Sequence, residues 1–158
     1  MSEVKIEIAK IEDVSKIAEL AYQTSKTHEA AYPDYFKPSD VEGNASLTKK
    51  AIEGEYSHVF KAVLGNVIVG YLVLYIWDRP KEYFVYSELG YIGSLGVDEK
   101  YRHQGVGTKL IHAAENWCKE HNIGAIELDV FVFNNSAEQL YANLGYREMK
   151  HNRMKILK

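Results

Sequence analysis

Apolar and polar residues alternate from Val4 to Ala9, the period of a strand with one buried face. After Asp13 the spacing changes: Val14, Ile17, Ala18 and Ala21 recur at helical intervals, with Asp13 as the capping residue. From His28 to Pro38 two prolines and a cluster of aromatic rings predict an irregular lobe. Ser39-Asp40-Val41-Glu42 then has the form of a capping box and opens a second helix reaching Ala51–Ile52. Val59–Leu64 and Val67–Trp77 are strand-like runs joined by Gly65-Asn66, which predicts a hairpin. Arg79–Glu82, polar and containing Pro80, predicts a loop. Val85–Val97 reads as a long strand whose glycines at 90, 93 and 96 mark a bulge or the close approach of a ligand. A turn from Tyr101 to Gly107 leads into a helix marked by Val106, Leu110, Ala113, Ala114 and Trp117, ending near Asn122 with Gly124 as the stop. Ala125–Phe133 is strand-like, Ser136–Leu144 a short helix stopped by Gly145, and Arg153–Leu157 a last strand that could close the sheet. No linker, repeat or low-complexity tract interrupts the pattern, so the expectation is one mixed α/β domain over residues 1–158.

Composition narrows the function classes. A net charge of −3 argues against the basic stripe of a nucleic-acid-binding surface and is compatible with a cationic acceptor. The single cysteine, Cys118, excludes an internal disulfide framework. No charged-then-apolar leader opens the sequence and no apolar run reaches the ~20 residues of a membrane span. The expected setting is the cytoplasm, with neither membrane nor nucleic acid as partner.

The chemistry concentrates where the long strand runs into the glycine turn and the third helix. The first N–H groups of a helix lack intrahelical partners and sit at the positive end of its dipole, so phosphate oxygens suit them. Gly105 and Gly107 have no Cβ and let a diphosphate approach the backbone. The dinucleotide fingerprint is not met, because Leu110 stands where its third glycine belongs, and no P-loop Gly-Lys-Ser/Thr follows.

Arg102-x-x-Gly105-x-Gly107, preceded by Ile92-x-x-Leu95-x-Val97-Asp98, resembles the coenzyme A signature of the GNAT N-acetyltransferase superfamily. Further on, Asn134-x-x-Ala137-x-x-x-Tyr141-x-x-x-Gly145-Tyr146 resembles that family's second signature. The resemblance runs from about Tyr91 to Tyr146. It implies a mixed, mostly antiparallel sheet of about 6–7 strands, splayed between strands 4 and 5, with helices on both faces. It also implies acetyl-CoA as co-substrate, bound by Arg102, His103, Gln104, Gly105, Val106, Gly107 and Thr108, by the backbone of Leu95 and Val97, and by Asn134 and Tyr141. No metal is expected. A homodimer is common in the family and is expected here.

The implied reaction is direct attack of a primary amine on the thioester. The free amide of Val97 would polarise the carbonyl, and Tyr141 would donate to the departing sulfur. Transfer from a phenol near pKa ~10 to a thiolate near ~8.5 costs about 2 kcal/mol, so a hydrogen bond is expected unless the site lowers the phenol. Core packing is the competing reading of Tyr141. Many relatives carry a glutamate six residues before the position of Val97, where this sequence has Tyr91. Glu88, turned inward by a bulge, is one candidate base. Tyr91, lining the cleft or holding a water, is another.

His28, Tyr32, Tyr35 and Phe36, with Trp77 and Tyr83, fall in regions that border the acceptor in this family, and aromatic packing explains each equally well. Cys118 and His121 lie three apart on a helix without further metal ligands or a nucleophile motif. The acceptor, a small molecule or a protein amine, is not readable. A non-catalytic acyl-CoA-binding module is the alternative function.

Overall fold

The structure is a computed structural model that describes residues 3–158; the first two positions of the expected domain lie outside them. Five strands form one sheet in the order β1 (Lys5–Ile8), β2 (Ser57–Leu64), β3 (Val67–Asp78), β4 (Glu88–Val97) and β5 (Ile126–Leu128). The first four pair antiparallel, and β5 lies parallel to β4. Helices α1 (Val14–Ala31) and α2 (Val41–Glu53) cover one face, where Ile17, Leu20 and Ala51 pack on Val59, Tyr71 and Val73. Helix α3 (Val106–Glu120), with α4 (Asn135–Asn143) at its start, covers the other through Leu110, Ile111, Ala114 and Tyr141 on Leu72, Leu74 and Ile92.

Several boundaries moved for local reasons. Helix α1 continues through Ala31, so His28 belongs to a helix and not to the irregular lobe. The expected capping box is not formed: Asp40 caps α2 by accepting the Gly43 N–H at 2.6 Å, and Ser39 bonds to Glu29 instead. Asn122, at φ 60°, supplies the left-handed residue after α3 that Gly124 was expected to provide. Only Ile126–Leu128 of the expected 125–133 strand is paired, opposite Gly90–Ile92; beyond them, where β4 bulges, the two strands part.

The sheet has five strands among the described residues, fewer than the expected six or seven. Arg153–Leu157 does not close it. Residues 147–158 are exposed and make no main-chain hydrogen bond among the described residues. The apolar face of such a strand would be Met154 and Ile156 alone, and both are exposed.

The interior glycines of β4 are explained by their neighbours. A Cβ on Gly93 would meet the Tyr75 ring at 2.4 Å, and one on Gly96 would meet Tyr71 Cε1 at 2.5 Å. The register between β3 and β4 shifts between Val73 and Leu74, so Gly93 is the extra residue of a bulge. Tyr71 is 2 % exposed, and its hydroxyl shares a 2.7 Å hydrogen bond with Ser94, so its ring cannot retreat. Gly96→Ala is therefore expected to destabilise the chain by about 1–3 kcal/mol, the usual cost of overpacking, read as a lower midpoint in urea unfolding.

Candidate active site

β4 is paired with β5 only over Gly90–Ile92, opposite Ile126–Leu128. Beyond Ile92 it runs on to Val97 against β3 alone. Asp98 N–H donates to the Val69 carbonyl at 2.9 Å. By antiparallel alternation Gly96 and Ser94 face β3, and the main-chain groups of Leu95 and Val97 face the open side. Both residues expected to pair with an extended amide-bearing ligand thus present unpaired N–H groups along a slot. The Val97 carbonyl is partly engaged, accepting from Arg102 Nε at 3.1 Å.

That bond defines the role of Arg102: it braces the turn between the slot and α3. Gln104 does the same through Nε2, donating to the Lys100 carbonyl at 3.1 Å. His103 at φ 59° and Gly105 at φ 79° put two left-handed residues into the turn, which tips successive N–H groups toward one side. From His103 to Thr108 no main-chain N–H has a hydrogen-bond partner among the described residues, and α3 has no side-chain cap. A Cβ built on Gly105 would meet nothing within 4 Å. The space beside Gly105 is open, and the electrostatics of these amides suit an anion carrying several oxygens.

Helix α4 leans on this turn: Leu140 Cδ2 lies 3.4 Å from the Cβ position of Gly107. Asn134 caps α4, its Oδ1 accepting the Ala137 N–H at 3.1 Å, so its side-chain oxygen is committed and only its amide nitrogen is left to offer. Tyr141 is 8 % exposed, with its ring edge-on to Tyr146 at 5.6 Å. Its hydroxyl has no hydrogen-bond partner among the described residues, yet it is not sealed from solvent. Burial pushes its pKa up to about 12. The site raises this phenol, so full proton transfer to a thiolate would cost about 5 kcal/mol, and hydrogen-bond donation is the chemistry left to it.

On the opposite face, α1 and its loop bring His28, Tyr32 and Phe36 together with Phe131 and Phe133. Ring centroids lie 5.2 Å apart for His28–Phe131 and 5.7 Å apart for Tyr32–Phe133. Trp77 stacks on Tyr91 at 3.9 Å. The Tyr91 hydroxyl donates to Asp129 Oδ2 at 2.7 Å, across the point where β4 and β5 part. Burial, then the Asp129 and Glu127 carboxylates, hold the Tyr91 hydroxyl well above its ordinary pKa. Asp129 was not singled out in the sequence, although the alternation along 125–133 puts Glu127, Asp129, Phe131 and Phe133 on one face.

The other candidates fall elsewhere. Glu88 opens β4 on the α3 face and lines a hollow with His58, Trp117 and His121, apart from the slot, so the bulge does not turn it inward. Tyr83 is 85 % exposed on the β3–β4 loop. His121 stacks on Trp117 at 3.8 Å. Cys118 is buried, and burial first and Glu115 second push its thiol up to about 11. Among the described residues no group of three or more His, Cys, Asp or Glu could hold a metal.

A family model described as Acetyltransferase (GNAT) family matches residues 16–146. The chain is similar to the N-alpha-acetyltransferase of Sulfurisphaera tokodaii, 29% identical over 153 residues, covering 94% of this chain and 83% of that protein. It is also similar to N-alpha-acetyltransferase 30 of Xenopus laevis, 38% identical over 87 residues, or 55% of this chain and 30% of that protein. The chain thus spans less than a third of the length of the vertebrate relatives it matches. A solved structure of a mutant BH1408 protein from Bacillus halodurans matches with TM-score 0.90 at 31% identity, covering 98% of this chain and 99% of that one.

Gly105→Ala must either hold an L-residue at the 79° φ, at roughly 1–2 kcal/mol, or reshape the turn. Calorimetry is expected to show acetyl-CoA binding weakened about tenfold, which is what that free energy amounts to. Unchanged affinity would separate the turn from the ligand.

Proposed function

The chain belongs to the acetyltransferase (GNAT) family, and from that membership we propose that it moves an acetyl group from acetyl-CoA to a primary amine by direct attack. The carrying observation is the run of unpaired amides from His103 to Thr108, just beyond a strand whose edge is unpaired after Ile92. These amides receive the diphosphate. The free main-chain groups of Leu95 and Val97 pair with the pantetheine arm as an added strand would, and one of their N–H groups polarises the thioester carbonyl. Tyr141 donates a hydrogen bond to sulfur as it leaves.

The acceptor in this reading is the α-amine of a polypeptide. The similar protein of Sulfurisphaera tokodaii bears the name N-alpha-acetyltransferase. An α-amino group near pKa ~8 is partly free base at neutral pH, whereas a lysine near ~10.4 is almost wholly protonated. One domain carries the activity, since both core clusters share a single sheet. The free thiol of Cys118 fits a reducing, cytoplasmic compartment, and no helix among the described residues is long and apolar enough to cross a membrane. Exposed Met149, Met154, Ile156 and Leu157 on the unpaired tail support self-association as a homodimer, for which sedimentation should give twice the 18.0 kDa chain mass.

The test follows coenzyme A release from acetyl-CoA with peptides bearing a free α-amine, against the same peptides blocked at that position. Release with the free peptides only is expected. Tight acetyl-CoA binding without turnover on any amine would instead identify a binding module. Tyr141→Phe should lower kcat by roughly 10²-fold and leave the acetyl-CoA Kd within about twofold, since the ring and not the hydroxyl fills the core.

A further inference from the structure

Sequence and structure leave the acceptor's proton without a receiver. The position six residues before Val97 is Tyr91, a phenol held in its neutral, donating form, and Glu88 lies on the wrong face. We infer that Asp129 is the group that binds the acceptor's ammonium and takes its proton, with Tyr91 as the residue that positions it. The inference rests on the acetyl-transfer reading above.

The placement argues for it. Asp129 follows the last paired residue of β5, where the slot opens. Alternation turns it to the face of Trp77, Tyr91 and the His28–Tyr32–Phe131 rings, opposite Tyr141. Its side chain is 60 % exposed, so an incoming cation can reach it. The Tyr91 hydroxyl fixes Oδ2 at 2.7 Å, and stacking on Trp77 fixes Tyr91 in turn. Four charged or titratable groups surround it: Tyr91 from β4, Glu127 from β5, Arg79 bound to Glu127 at 2.7 Å, and Lys150 of the tail at 3.9 Å from Oδ1. Arg79 neutralises Glu127, so Asp129 is the carboxylate left available on this face.

The step balances. The ammonium, held on Asp129, passes one proton to the carboxylate, which frees the lone pair that forms the N–C bond, and the second N–H proton is lost to solvent once nitrogen is bonded to carbon. The C–S bond breaks, its electron pair goes to sulfur, and the thiolate leaves within reach of the Tyr141 O–H. The proton on Asp129 then returns to solvent. Carboxylates are ordinarily far weaker bases than amines, so the neutral amine formed beside Asp129 is a transient that the attack on the carbonyl consumes. Because the enzyme then takes the ammonium form, kcat/KM should not depend on the small fraction of free amine.

The experiment measures kcat/KM from pH 6 to 9 for the full chain, with acetyl-CoA and a peptide of free α-amine. Wild type is expected to stay nearly level below the peptide's pKa of ~8. Asp129→Asn should need free amine, and so fall about tenfold for each pH unit below ~8, with the acetyl-CoA Kd unchanged. Tyr91→Phe should keep the wild-type profile with a smaller loss in kcat, as a positioning residue would. If Asp129→Asn does not fold, Asp129→Ser is read the same way. A variant profile matching wild type would overturn this inference and leave acetyl transfer standing. A wild type that turns over no amine would remove both.

Discussion

β4 can have a neighbour on its second edge only as far as Ile92, and the site is organised around that limit. The bulge at Gly93 is where the strand changes phase, so that Leu95 and Val97, and not Ser94 and Gly96, turn their main-chain groups outward. Tyr75 and Tyr71 occupy the volume that side chains at 93 and 96 would need, so both positions are glycine. An exposed edge is ordinarily a hazard. Here it is short, recessed between β4 and the extension of β5, and ends in a turn rich in donors.

The slot also separates two chemistries by placing them on opposite faces of the sheet. On the α3 and α4 side Tyr141 is buried among apolar groups, which raises its pKa to about 12 and keeps it neutral. On the α1 side lie aromatic rings and the Glu127 and Asp129 carboxylates with their Arg79 and Lys150 partners. In the proposed reaction a donor for the leaving anion would face sulfur from one side, and a carboxylate would face the amine nitrogen from the other. Were both groups on one face, the carboxylate would lie against the phenol that must donate elsewhere, as Asp129 does with Tyr91. The pairing that makes Tyr91 useful as a support makes it unfit to serve as an acid.

The strongest sequence signals were those enforced by local geometry. The hairpin at Gly65-Asn66, the glycine turn before α3, and the helices around Leu110 and Tyr141 are set by residues within a few positions, and each appears where its pattern put it. Asp129 was hidden for the opposite reason. Its partner Tyr91 is 38 positions away, and only the parallel register of β4 and β5 brings them together. Glu88 misled because a carboxylate near a glycine-rich strand is a local cue, whereas the face it occupies depends on where the bulge falls. Asn134 carried a signature whose side-chain oxygen turned out to serve the helix it precedes. The tail read as a strand by composition, but its apolar face is only Met154 and Ile156, and both stay exposed.

The turn before α3 has an energetic consequence for the whole chain. A helix N-terminus is ordinarily stabilised by a capping side chain worth about 1 kcal/mol, and α3 has none. The left-handed residues that aim its donors outward also keep a cap from folding back over them. No protein acceptor meets these amides among the described residues, and a diphosphate would satisfy them, with its charge at the positive end of the dipole. Val106, the first residue of the helix, shares a core cluster with Leu110, Ile111 and Ala114, so anion binding at the turn is coupled to the main core. A ligand at a hundred times its Kd would add about 2.7 kcal/mol to the folding free energy. Stability withheld from the free turn is the binding energy it has available for the phosphates.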